Sequence, residues 1–246
     1  RIFSRIRQRE HATVFSEKTP WNVLIFEDLI QLLPGCRCIF MLRDPRAIAA
    51  SLMEVGEKHQ KIGFRPLPFT TSLLKAIDKT KECFESGFRA VRQYPERVLV
   101  VRYEDFVSDP EKECRRICAF LDLPWREEML DFESKSDSLI ARLPGIWNDR
   151  ERLTGRIDRQ SLEKWKSVLT PVQQALVTDA FQGMVELREA GYQLEPIRLG
   201  LIQRFRVSVV KAFVFHRSAL IRSRARLKDT LKKSRQIRKF YYAVFK

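Results

Sequence analysis

The run Cys38-Ile39-Phe40-Met41-Leu42, followed at once by Arg43-Asp44-Pro45-Arg46, constrains this chain more than any other stretch. Five consecutive apolar residues with no polar alternation read as a strand covered on both faces, the situation in a parallel sheet. Asp44 is a good N-cap, and Pro45 fits the first helical position, where its missing N–H would have had no partner anyway. A strand that stops on Arg43 and turns directly into a helix leaves free N–H groups and the positive end of the helix dipole beside a guanidinium. Ser51 lies about two turns further along the same helix. The junction is a candidate anion site, although an Asp-Pro helix start after a strand also occurs with nothing bound.

The remaining punctuation sets the organisation. A strand near residues 12–16 leads to a helix over 22–33, stopped by Pro34-Gly35. The helix opened by Pro45 continues to about residue 60, and Gly63 to Pro68 is a loop. Leu73 to Tyr94 reads as a helix with Leu74, Ile77, Cys83, Phe84 and Val91 turned inward. A second strand over 98–102 precedes a helix over about 110–121, and Pro171 opens a later helix reaching about Ala190. Helices alternating with apolar strands indicate an α/β fold with a parallel sheet and right-handed crossovers.

With 246 residues the chain can bury one good-sized core, and no uninterrupted apolar run approaches the roughly 18 residues of a membrane-spanning helix. The five cysteines and three histidines form no ligand set, because Cys36-Arg37-Cys38 is too short for a Cys-x-x-Cys chelate, so no metal is expected. Cys83, Cys114 and Cys118 fall in helical patterns and read as buried free thiols. An odd cysteine count leans against a disulfide framework.

The net charge of +15 is concentrated at one end. Residues 197–246 hold 15 Lys and Arg against one acid, whereas residues 1–196 are nearly balanced at +1. This division separates a domain, 1–196, from a basic amphipathic helical tail, 197–246. The tail opens with Leu201, Ile202, Phe205, Val209 and Val210 and closes with Phe240, Tyr241, Tyr242 and Phe245. Such a helix suits an anionic membrane surface, an acidic polymer or a partner helix, and equally a packed helix with a solvated basic face. Nucleic acid is the less favoured partner. A kinase on a related fold would need a Gly-rich loop ending in Lys-Ser/Thr, which this sequence lacks.

Four ordered motifs extend beyond the first junction. Glu17-Lys18-Thr19-Pro20 precedes it, Arg102-Tyr103-Glu104-Asp105 with Ser108-Asp109-Pro110 follows, and Lys164-Trp165 and Gly191-Tyr192 come late. Together with Arg43-Asp44-Pro45-Arg46 and Ser51, this order resembles the sulfotransferase family that uses 3′-phosphoadenosine 5′-phosphosulfate (PAPS). The resemblance covers roughly residues 13–195 and implies a P-loop-like three-layer fold, a parallel sheet flanked by helices. It assigns Arg43 and Ser51 to the donor 3′-phosphate and Tyr103 to the adenine ring. Lys18 goes to the transferred sulfonate, where a fixed ammonium meets developing charge. Lys164, with the preceding segment Asn148 to Asp158, is matched to a loop that closes over the donor. The implied reaction is in-line sulfonate transfer from PAPS to an acceptor hydroxyl, most of it positioning and charge stabilisation, with no metal.

Two departures qualify these expectations. The family opens with a strand, a loop holding the 5′-phosphosulfate and a helix, and no such segment precedes Thr13. The chain is therefore expected to be a fragment without the first βαβ unit, binding PAPS poorly by itself. A histidine that serves as base in one branch of the family is replaced by Pro20, while Glu17, His11 and His59 are more readily read as structural or solvated. The late Lys-Trp and Gly-Tyr signatures favour a glycan hydroxyl as acceptor, with protein tyrosine or a lipid-linked sugar behind it. The compartment is open between the cytoplasm, a peripheral membrane position and, if an upstream segment carries an anchor, the Golgi lumen.

Overall fold

The computed structural model describes residues 8, 9, 11–131 and 160–212. Among them two strands, β1 (Cys38–Leu42) and β2 (Val98–Arg102), pair in parallel. Cys38 lies opposite Val98 and Leu42 opposite Arg102, so both strands end at the same level. Helices begin immediately beyond each: α2 (Pro45–Lys61) after β1, and α4 (Tyr103–Ser108) after β2. A short helix α1 (Phe26–Leu32) precedes the sheet, continuing a 3-10 turn over Pro20–Ile25. Helix α3 (Leu73–Gln93) is the crossover between the strands, and α5 (Pro110–Leu121) follows α4.

Phe40 shows why the crossover lies so close to the sheet. Its ring meets Phe84 and Phe88 of α3 edge-on at centroid distances of 6.2 and 5.4 Å, and Phe84 meets Phe181 at 5.7 Å. Gly87 makes room for this, since a Cβ there would stand 2.5 Å from Phe40 Cζ. On the outer side, Arg116 of α5 donates to the Val100 carbonyl at 3.0 Å and to Glu113 at 2.6 Å. This contact satisfies part of the exposed edge of β2.

The described chain returns through α6 (Gln160–Glu163), α7 (Trp165–Val168), α8 (Pro171–Phe181) and α9 (Val185–Glu189), the first three packing on α2. Thr170 and Gln173 form a reciprocal capping box that starts α8. The last helix among the described residues, α10, occupies 201–212. Buried Val207 and an ion pair from Lys211 to Asp179 tie α10 to the body.

Several expectations are corrected by this architecture. Residues 12–19 form no strand, because no ladder partner stands beside them among the described residues. The first helix begins at Pro20 as a 3-10 turn, as a proline at the helix start dictates. The expected helix over 171–190 breaks after Phe181 and restarts at Val185, with Gly183 between the two pieces. β1 is not covered equally on both faces: Cys38, Phe40 and Leu42 are buried, while Met41 is 45% exposed. An unbroken apolar run carries no alternation from which that asymmetry could be read. Of the helical thiols only Cys118 is buried, Cys83 and Cys114 being half-buried.

Candidate functional site

The level strand ends bring Arg43 and Tyr103 together. The guanidinium carbon of Arg43 lies 4.2 Å from the centre of the Tyr103 ring, and its Nη2 donates to the Ser161 carbonyl at 2.9 Å. The Tyr103 and Ser161 hydroxyls are 3.2 Å apart. Neither partner of Arg43 carries a charge, and its buried Nε has no hydrogen-bond partner. A cation with an unused donor at the carboxyl end of parallel strands is where α/β folds place anionic ligands.

Asp44 could have spoiled such a site, since a carboxylate at a helix N-terminus competes with an incoming anion. Its side chain instead accepts from the Arg46 backbone N–H at 2.8 Å and takes the Arg46 guanidinium at 3.0 Å through Nε and 2.6 Å through Nη2. Arg46 in turn lies over the Trp165 ring at 4.1 Å. The negative cap is thereby neutralised inside the fold, leaving Arg43 as the cation that faces the helix start.

Glu104 ties the second strand end to the first. One of its oxygens accepts the Asp44 backbone N–H at 3.0 Å, and the other accepts the Tyr192 hydroxyl at 2.5 Å. Burial, with the Glu104 carboxylate next, pushes the Tyr192 hydroxyl well above its ordinary range, so it remains a donor. The Tyr192 ring packs under Arg102 at 4.8 Å, and Arg102 also reaches Asp105 at 3.2 Å. Gly191 has φ +86°, and a Cβ there would meet the Arg102 guanidinium at 3.3 Å, so the Gly-Tyr pair needs its glycine.

A cleft of about 560 Å³ opens along the edge of β2, lined by Phe88, Arg92, Val100, Arg102, Arg116 and Glu186 among others. Its cations are all paired: Arg92 with Glu186 at 2.5 Å, Arg102 with Asp105, and Arg116 with Glu113. Charge compensation therefore distinguishes this cleft from the Arg43 position.

A model of the sulfotransferase family matches residues 1–127, which include the Lys18 motif, the first strand-to-helix junction and the Arg102-Tyr103-Glu104-Asp105 motif. The chain belongs to the sulfotransferase family. It is 26% identical over 165 residues to protein-tyrosine sulfotransferase 1 of Danio rerio, covering 65% of this chain and 44% of that protein. It is 26% identical over 160 residues to protein-tyrosine sulfotransferase of Drosophila melanogaster (63% and 30%), and 28% over 187 residues to nodulation protein NoeE of Sinorhizobium fredii (72% and 44%). The chain thus spans less than half the length of these curated relatives. In three dimensions it resembles a sulfotransferase domain from the curacin biosynthetic pathway with a TM-score of 0.57, at 18% identity, covering 79% of this chain and 68% of that one. The helix-rich α/β fold with its small parallel sheet is a P-loop-like sulfotransferase fold.

Within this sulfotransferase fold, the expected site residues are placed as follows. Arg43 and Tyr103 are in contact. Ser51 lies half-buried on α2, two turns beyond the junction. Lys164, at the start of α7, is paired with Glu54 of α2 at 2.6 Å. Lys18 is exposed in the stretch before the Pro20–Ile25 turn. The segment Asn148 to Asp158 lies outside the described residues. Glu17, one base candidate, accepts from Thr19 at 2.6 Å and from Asn22, and His59 is buried on α2.

Arg46, Glu104, Trp165 and Tyr192 all stand inside the sequence motifs, whose local pattern assigns them no part in the site. The available signal was the motifs themselves. A charged residue beside an N-cap acid, and a Gly-Tyr pair far along the chain, acquire meaning only once their partners are in place.

Proposed function

We propose that the protein transfers a sulfonate group from PAPS to a hydroxyl acceptor, and that the acceptor is a tyrosine of a protein. The observation that carries the donor half is the Arg43–Tyr103 pair: a cation with an unused donor and an aromatic ring, both at the ends of parallel strands. A 3′-phosphate on Arg43, with Ser51 further along α2, and an adenine against Tyr103 use those groups as their chemistry allows. Lys18 completes the reading as the cation that meets the sulfonate, and Lys164, paired with Glu54, belongs to the segment that closes over the donor. PAPS supplies the sulfonate, whose sulfur leaves the phosphate oxygen as its bond to the acceptor oxygen forms, while the hydroxyl proton passes to a base.

The chain's own contribution is electrostatic and positional. Asp44 and Arg46 neutralise each other, Glu104 holds the Asp44 amide, and Arg43 is left to attract the anion. The motif signatures favoured a glycan acceptor. What supports tyrosine is the acceptor in the names of the Danio rerio and Drosophila relatives.

Titration of 3′-phosphoadenosine 5′-phosphate into the full-length protein tests the donor half. Arg43→Ala is expected to weaken binding by about 10- to 100-fold, the range for losing a charged hydrogen bond. Arg43→Lys should recover only part of it, since an ammonium lacks the planar stack on Tyr103. Absence of binding to the full-length protein, or equal affinity in Arg43→Ala, would overturn the assignment. Radiolabelled sulfonate transfer to tyrosine peptides and to glycans, run side by side, decides the acceptor.

A further inference from the structure

Helix α10 presents two apolar faces, and the body of the protein covers one. Val207 is buried, Gln203 and Val210 are half-buried, and Lys211 is paired to Asp179. On the opposite side Leu201, Ile202, Phe205 and Val209 are 84, 73, 70 and 51% exposed. At 3.6 residues per turn these four fall within about 100° of arc. Arg204 and Arg206, both exposed, stand on its two borders. The helix start is locally secured, the Gly200 N–H donating to Gln203 Oε1 at 3.0 Å and Arg204 Nε to the Leu199 carbonyl at 3.0 Å.

A stripe of four large apolar side chains pointing away from the domain needs an occupant. Charge identifies its chemistry. The stripe is bordered by arginines and belongs to the stretch 197–246, with 15 Lys and Arg against one acid, while residues 1–196 carry only +1. Apolar side chains flanked by cations on a helix lying flat are complementary to an anionic lipid surface: the stripe enters the acyl boundary and the arginines meet the headgroups. We propose that the outer face of α10 docks the protein on an anionic membrane, with Leu201, Ile202, Phe205 and Val209 inserting. The catalytic domain then sits on the lipid through the opposite side of the same helix. This inference is independent of the donor and acceptor assignments.

The test is flotation of the 246-residue chain with vesicles of phosphatidylcholine, with or without about 30% phosphatidylserine. Binding is expected to the anionic vesicles, to weaken with salt, and to fall about tenfold or more in the Ile202→Ser/Phe205→Ser variant. Phe205→Trp, a mild change, should show tryptophan emission quenched by brominated lipid in anionic vesicles beyond the wild-type background. Unchanged flotation of the double variant, or no extra quenching of Phe205→Trp, would overturn the proposal. So would a lipid-free dimer that the double variant abolishes, which would make a second copy the occupant. Duplex DNA binding with the same dependence on the stripe would also overturn it.

Discussion

Tyr192→Phe isolates one hydrogen bond at the join between the two strand ends. The substitution keeps the ring under Arg102 at 4.8 Å and removes only the hydroxyl that donates to Glu104 at 2.5 Å. A hydrogen bond to a charged group contributes about 1.5–3 kcal/mol, and because Glu104 is half-buried, water can partly replace the lost donor. The lower end, about 1.5 kcal/mol, is expected. With a urea m-value of about 2.5 kcal/mol/M, the unfolding midpoint should fall by about 0.6 M at neutral pH. The pH dependence supplies a second reading. The hydroxyl is raised in the folded state, so its stabilisation is fully present below the ordinary tyrosine range and is lost as pH rises past it. The gap between wild type and Tyr192→Phe should accordingly narrow in strongly alkaline solution. A double-mutant cycle with Glu104→Gln should show coupling of about 1 kcal/mol or more. Unchanged midpoints, a gap that persists at high pH, or strictly additive effects would refute this account of the join.

Two further outcomes follow from the core. Gly87→Ala places a methyl 2.5–2.8 Å from three atoms of the Phe40 ring, which is 4% exposed and cannot swing into solvent; the unfolding free energy should drop by about 1–3 kcal/mol with the m-value unchanged. The Cys38 thiol is pushed up to about 12 by burial and, next, by Cys36, so stability should be flat below the ordinary thiol range and decline between roughly pH 9 and 12. Urea midpoints against pH for wild type and Cys38→Ala would check this, the decline being shallower in the variant.

Local signals were legible where one residue decides the backbone by itself. Pro45 after Asp44, Pro110 after Asp109, and Pro171 after Thr170 each open a helix at the position their chemistry dictates. The strands at 38–42 and 98–102 were equally readable, because five-residue apolar runs are too short for a helix and turn signals bound them. The segment at 12–16 shows the limit of that rule, since a strand needs a partner and a short apolar stretch does not say whether one is present. The helix over 171–190 shows another, as its apolar spacing runs across Gly183 while the chain breaks there.

The site divides in the same way. Sequence alone determined that Arg43 and Tyr103 each follow a strand, and that a cation would therefore stand at a helix start. Tertiary structure decided that the two strands end level, putting the guanidinium 4.2 Å from the ring. It also decided that Asp44 is silenced by Arg46, that Glu104 joins Asp44 to Tyr192, and that Lys164 rests on Glu54. Motifs record which side chains are present and how the backbone turns near them. Whether a charge is compensated depends on which distant groups packing brings within hydrogen-bond reach, and no local pattern in the chain encodes that distance.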